Sequence, residues 1–162
     1  MTANTAWICD GCGEPIKNVA DGWVEWVERN DIETGRLVGR DLRLVHHLPA
    51  SPRRHNFPGC QFDQKAEDRR DGSHVHDLGL TEFVGPDGLM RALALISEQR
   101  LPTPQVLELI KRLHIPGYEH ARHHFARAIS AGVFEPNTPK GFHWQRDIEA
   151  TLCFVKERGE ND

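Results

Sequence analysis

The sequence predicts an α+β protein, in which a small β-rich module is followed by a mainly helical part. Three observations support this prediction. A Cys-x-x-Cys motif begins at Cys9, two segments of alternating apolar and polar residues follow it, and apolar residues recur at helical spacing from Leu89 onward. We therefore expect two domains, comprising residues 1–84 and residues 85–162.

Composition limits the classes of protein that are compatible with this chain. It has 162 residues and a formal net charge of −4, with 10 Lys/Arg against 14 Asp/Glu in residues 1–85 and 10 of each in residues 86–162. This balance excludes a protein that coats nucleic acid through bulk positive charge, so any such contact needs a local patch. The sequence lacks both a membrane-spanning apolar run and a secretory signal pattern. We therefore expect a cytoplasmic protein.

The Cys-x-x-Cys motif is the clearest chemical signal in the chain. Cys9 and Cys12 flank an Asp-Gly turn that directs two sulfur atoms toward one point. Cys60 and one histidine supply the remaining ligands of a tetrahedral Zn²⁺ site. We favour His47 as that histidine because it lies at the edge of the predicted core, and its substitutes are His46 and His55.

Two features separate a metal site from the alternative, a redox-active cysteine pair. Gly13 follows the second cysteine and suits a metal-binding knuckle, whose backbone amides bond to thiolates. Redox motifs instead lie where a strand enters a helix. The fourth cysteine, Cys153, lies in an apolar helical stretch and is expected to be a buried core thiol.

Two predicted strands connect the knuckle to the histidines. Residues 22–28 and residues 41–47 alternate with the period of half-buried strands, and residues 30–39 form a polar loop between them. The resulting antiparallel hairpin ends at His46 and His47. Together with the cysteines, this arrangement resembles zinc-ribbon and treble-clef-like modules. Four protein ligands leave a zinc ion no open position for water, so we expect the zinc to be structural.

The same region supports an enzymatic alternative. Residues 46–49, with the sequence His-His-Leu-Pro, together with Asn56 and Cys60 resemble the pattern of HNH endonucleases. That resemblance implies a metal-dependent nuclease in which His47 is the general base and Asn56 orients it. The second Cys-x-x-Cys of that family is absent here. We therefore assign no catalytic residues and favour a non-enzyme.

Helical periodicity dominates the second half. A first helix begins near Gly85 and ends before Pro102, and a second begins at the N-cap Thr103 and ends before Pro116. The pattern then predicts a third helix, a two-stranded hairpin and a final helix, over residues 118–131, 133–135 with 142–144, and 145–157.

Part of this half resembles a known DNA-binding family. Residues 106–122, continued by Phe125, Ile129 and residues 132–134, resemble the core of a winged helix-turn-helix domain. The resemblance implies that the third helix enters the DNA major groove. The implied base-reading and phosphate-binding side chains are Tyr118, His120, Arg122, His123 and Arg127, and Lys111, Arg112 and Lys140, respectively.

The charge of this half leaves a second type of partner open. Glu119 lies on the proposed reading helix, and the half as a whole is neutral. Winged helices also dock proteins, so a protein-binding adaptor is the alternative. We expect a regulatory zinc protein that binds DNA or a protein partner and no membrane, and we leave its oligomeric state open.

Overall fold

The computed structural model describes residues 6–159, which form an α+β fold. The predicted fold class is thereby confirmed. The described chain divides after His114 into two compact units. The first unit contains five strands and three α-helices: β1 (Trp7–Ile8), β2 (Pro15–Ile16), β3 (Gly22–Asn30), β4 (Leu37–His46), α1 (Gln64–Asp71), β5 (His74–Gly79), α2 (Gly85–Glu98) and α3 (Thr103–His114). The second unit contains α4 (Tyr118–Ala121), α5 (Phe125–Ser130) and α6 (Gln145–Glu157).

A three-stranded antiparallel sheet is the centre of the first unit. Its strand order is β4-β3-β5, and the short strands β1 and β2 pair separately around the cysteine knuckle. In β3, Val24 and Trp26 share a face by the period-two rule, and Val24 lies opposite Leu44 of β4. A β-bulge follows Glu25, where Asp41 adopts a positive φ of 58°.

Both long helices of the first unit pack into the same core as the sheet. Ala92 and Leu95 of α2 and Val106 and Leu109 of α3 are buried with Val24 and other sheet residues in one apolar cluster. The expected domain boundary lay between residues 84 and 85, whereas the chain divides after His114. The physical reason is that the apolar faces of α2 and α3 bury area against the sheet.

The second unit has a small aromatic core and departs from the predicted elements. Tyr118, Ala121, Phe125 and Ile148 form this core. The single helix predicted over residues 118–131 is replaced by α4 and α5. The His124 N–H donates to the Ala121 carbonyl oxygen at 2.8 Å, a three-residue bond that interrupts the α-helical pattern.

The predicted hairpin is also wrong. In the described structure residues 133–144 contain no strand. Pro136 and Pro139 lack N–H donors, and the Phe134 and His143 rings pack on Phe125, with centroid distances of 6.5 Å and 3.8 Å. Packing of aromatic rings therefore holds this segment in place of the predicted hydrogen bonds between two strands.

Cys153 is exposed, contrary to the expected core thiol. The inward face of α6 carries Ile148, Thr151 and Val155, which follow a helical spacing that excludes position 153. None of the helices within residues 6–159 combines the length and the apolar character that crossing a bilayer requires.

We predict that Gly88→Ala destabilises the protein. Alanine normally stabilises a helix by about 1 kcal/mol relative to glycine. Gly88 is in α2, however, and a Cβ atom there would overlap the backbone of Phe83. Thermal unfolding should therefore show a loss of about 1–3 kcal/mol. The control is Met90→Ala on the same helix, whose side chain is exposed and whose effect should stay within about 0.5 kcal/mol. An increase in stability for Gly88→Ala would contradict the packing described here.

Candidate metal centre

Four side chains converge at one point of the first unit. The ligand atoms of Cys9, Cys12, His46 and Cys60 all lie within 4.8 Å of one another. The His46 Nδ1 atom is 3.5 Å from the Cys12 Sγ and 3.9 Å from the Cys60 Sγ. In a tetrahedral zinc site with usual bond lengths, sulfur and nitrogen ligands are about 3.6 Å apart. The spacing is therefore that of ligands to a single metal ion.

The histidine of this cluster is His46, one of the two predicted substitutes for the favoured His47. His46 is the last residue of β4 and shares a sheet face with Leu44 by alternation, whereas the next side chain points away. His47 instead places its ring edge against Trp23, with 4.7 Å between ring centroids. The other substitute, His55, is exposed in the loop before Cys60.

The knuckle is built by backbone bonds around its first cysteine. The Cys9 N–H donates to the Glu14 carbonyl oxygen at 3.0 Å, and the Gly13 N–H donates to the Cys9 carbonyl oxygen at 2.8 Å. The Gly11 N–H lies 3.3 Å from the Cys9 sulfur and donates to it. A Cβ at Gly11 would come within 2.9 Å of the Cys60 carbonyl oxygen, so only glycine permits this approach.

Outer contacts hold the other ligands. The His46 Nε2 atom lies 3.3 Å from the Pro15 carbonyl oxygen, a contact that orients the ring and leaves Nδ1 facing the cysteines. The Ser51 hydroxyl is 3.1 Å from the Cys60 sulfur. Cys9, His46 and Cys60 are 1%, 4% and 3% exposed, whereas Cys12 is half-buried, so three of the four ligands are closed to solvent.

Burial also sets the protonation of the Cys12 thiol. It raises the pKa of the Cys12 thiol to about 12, and the neighbouring Cys9 and Cys60 thiols add to this effect. Without a metal, Cys12 is therefore neutral at pH 7. A metal ion that binds here must displace a proton, as thiolate ligation generally requires.

An ion pair clamps the knuckle to the rest of the unit. The Asp10 carboxylate accepts a bond from the Leu44 N–H of β4 at 2.8 Å. It also accepts from Arg112 of α3 at 2.7 Å, and the same guanidinium donates to the Ile8 carbonyl oxygen at 2.8 Å. Arg112 is 7% exposed. The guanidinium that was expected to contact phosphate is therefore bonded within the fold, to Asp10 and Ile8.

The Cys60 segment is fixed by a buried carboxylate that the sequence analysis did not single out. Glu25 of β3 is fully buried and accepts bonds from Arg43 at 2.6 Å and from the Phe62 N–H at 3.0 Å. The Arg43 guanidinium also stacks over the Phe62 ring at 3.5 Å from its centroid. Burial raises the pKa of Glu25, and Arg43 and the Phe62 N–H partly offset that rise. The sequence signal for this residue is its position between the apolar Val24 and Trp26 of β3.

A second buried carboxylate lies elsewhere on β3. Glu28 accepts from the Trp26 indole N–H at 2.6 Å and from Arg100 at 2.6 Å, and lies 3.0 Å from the His76 Nε2. Trp26, His76 and Arg100 line a cavity of about 560 Å³ between the sheet and α2. Every oxygen of this carboxylate is thus bonded, which buried acidic groups require.

The side chains predicted to contact DNA differ in their accessibility. Tyr118 is 5% exposed and packs on Phe125, so it belongs to the core of the second unit. Arg122 is bonded to Glu119 at 3.1 Å, and Lys111 to Glu108 at 2.6 Å. His120 is half-buried, whereas three further candidates are exposed: His123, Arg127 and Lys140.

Comparison with known proteins supplies no relative. No family model, no curated protein and no solved structure matches this chain. The geometry of the described residues is therefore the basis of the functional proposal.

We predict that Arg112→Ala strongly destabilises the first unit. The change removes the buried partner of Asp10 and leaves the Ile8 carbonyl oxygen without this donor. Breaking a buried pair costs about 3–5 kcal/mol, reduced here because the Asp10 side chain is 26% exposed. Urea unfolding should show a loss of about 2 kcal/mol or more. Arg91→Ala is the matched control, because it breaks an exposed pair with Glu82 that is worth less than about 1 kcal/mol. Equal effects of the two variants would refute the clamp.

Proposed function

We propose that the protein binds one Zn²⁺ through Cys9, Cys12, His46 and Cys60, and that this ion is structural. The observation that carries the proposal is the convergence of four ligand atoms within 4.8 Å, from three buried residues and the half-buried Cys12. Three thiolates and one imidazole are a ligand set that suits Zn²⁺. With four protein ligands, a tetrahedral ion has no position left for water or substrate.

The surrounding fold supports a structural role for the ion. Strands β1 and β2 have two residues each, so few backbone hydrogen bonds between strands hold the knuckle together. The four ligands come from three separate places in the chain: the knuckle, the end of β4 and the loop that leads to α1. An ion that joins these places stabilises the folded state, because the unfolded chain has no preformed site for it.

The same geometry does not favour the HNH nuclease alternative. A catalytic histidine must face an open metal position, whereas His47 packs against Trp23 and lies outside the ligand cluster. Asn56, the residue that would orient it, is exposed in the loop. The non-enzymatic role therefore stays our proposal.

A regulatory role with DNA as the partner of the second unit also stays a prediction. The surface features that support it are the exposed Arg127 and Lys140, with His123 nearby in sequence, since phosphate contacts require accessible cations. A protein-binding adaptor is the competing proposal, and it makes no demand on these cations.

The zinc proposal is tested by two neighbouring histidines. We expect the purified chain to contain one zinc per molecule by elemental analysis. His46→Ala should lose the metal and lower the melting temperature by about 10 °C or more, because binding energy is then lost from folding. The matched control, His47→Ala, should retain one zinc per molecule. Retention of zinc by His46→Ala, or its loss only in His47→Ala, would overturn the assignment.

The DNA proposal is tested by salt dependence. Each phosphate neutralised on duplex DNA contributes about −0.9 to the slope of log affinity against log salt. Arg127→Ala should weaken binding to mixed genomic duplex fragments and flatten this slope by about that amount. The control is Arg158→Ala, which changes a cation near the end of α6, outside the predicted reading helix. The decisive condition is low salt, about 20 mM, where the Debye length is about 20 Å and screening is weak. An absence of duplex binding under this condition would contradict the DNA proposal and leave the adaptor.

A further inference from the structure

The loop between the last two proposed ligands is held in place along its length. We call residues 48–59 the inter-ligand loop, since His46 and Cys60 flank it. The Ser51 side chain is buried and accepts a bond from the Arg53 N–H at 3.0 Å. The Arg54 N–H donates to the Ser51 carbonyl oxygen at 3.1 Å, and further turns follow up to residue 59. The loop therefore presents its side chains from a preorganised backbone.

This loop carries positive charge that the fold does not neutralise. The sequence has no Asp or Glu between Asp41 and Asp63. Arg53 and Arg54 are exposed, and neither forms an ion pair with any residue in the described part of the chain. Other arginines of the first unit do form such pairs: Arg40, Arg43, Arg91, Arg100 and Arg112. The loop is thus a local basic patch on a chain whose net charge is −4.

An exposed aromatic ring accompanies the two arginines. Phe57 is 73% exposed, although its ring has no polar group that benefits from water. The neighbouring positions from Pro52 to Asn56 are exposed as well. The two arginines thus lie three and four residues before this ring in the chain. Accessible cations and an accessible aromatic ring on one segment are the combination that binds unpaired nucleotides, because the cations contact phosphates while a base stacks on the ring.

We propose that the inter-ligand loop is a binding surface for single-stranded nucleic acid. Arg53 and Arg54 contact phosphates, and Phe57 stacks on a base. A duplex fits this surface less well, because its bases are already stacked on one another. An acidic peptide satisfies the arginines but offers no base to the ring. The proposal rests on the proposed zinc site in one respect, since the ion anchors both ends of the loop.

The expected magnitudes follow from the two kinds of contact. Each phosphate neutralised on a single strand contributes about −0.7 to the salt slope, so two arginines contribute about −1.4. Loss of one base stacked on an aromatic ring weakens binding by about 5-fold to 150-fold. The two kinds of variant should therefore be separable, because only the arginine changes alter the slope.

The experiment uses the full zinc-loaded chain and a fluorescein-labelled dT oligonucleotide, followed by anisotropy over a range of salt. We expect the double change Arg53→Ala and Arg54→Ala to remove about 1.4 from the slope. Phe57→Ala should weaken binding at every salt concentration without changing the slope. The matched controls lie in the β3–β4 loop, where Arg36→Ala and Ile32→Ala alter an exposed cation and a fully exposed apolar side chain. Both controls should bind as the unmodified chain does.

Several outcomes would overturn the loop proposal. The first is an absence of dT binding at low salt, and the second is equal binding of a duplex of the same length. The third is displacement of labelled dT by poly-glutamate as effectively as by unlabelled dT. The fourth is an equal loss of affinity in Arg36→Ala and in the double variant of Arg53 and Arg54. Elemental analysis of each sample separates this failure from failure of the zinc proposal. A chain with one zinc and no dT binding keeps the metal site and loses the loop surface. A metal-free chain with the expected pattern of variants keeps the surface and loses the metal anchor.

Discussion

Convergence of Cys9, Cys12, His46 and Cys60 is the constraint on which the first unit depends. Bringing three sulfur atoms and an imidazole nitrogen within 4.8 Å requires the knuckle, the end of β4 and the Cys60 segment to meet at one corner of the sheet. Each part is fixed by its own contacts, among them the Arg112–Asp10 pair at the knuckle and the Arg43–Glu25 pair at the Cys60 segment. Ligation by an ion adds to these contacts and does not replace them.

The central strand contains two buried carboxylates. Glu25 and Glu28 of β3 are both fully buried, and each is bonded to an arginine from another element. Burying a carboxylate is costly unless its oxygens are bonded, so these acids contribute specificity of position more than net stability. Glu25 and Glu28 lie on opposite faces of the sheet. Glu25 positions the Cys60 segment by accepting a bond from the Phe62 N–H. The metal centre and the sheet register are thereby coupled.

The two units present different surfaces for a partner. In the first unit, Arg40, Arg43, Arg100 and Arg112 are paired with acids. In the inter-ligand loop, the adjacent Arg53 and Arg54 are exposed and form no ion pair with any residue of the described range 6–159. In the second unit, Tyr118 is part of the core and Arg122 is bonded to Glu119, whereas Arg127 is exposed.

The sequence by itself determined the α+β class, the knuckle and three of the four converging ligands. These features follow from local patterns: the spacing of Cys9 and Cys12, strand alternation and helical periodicity. Tertiary structure decided the fourth ligand, the end of the first unit after His114 and the burial of Arg112. These depend on which residues meet across long separations in the chain. Adjacent residues of a strand point to opposite faces of the sheet, so a shift of one residue exchanges His46 for His47. Local periodicity cannot determine which of the two faces the cysteines, because the alternation is not maintained where a strand ends.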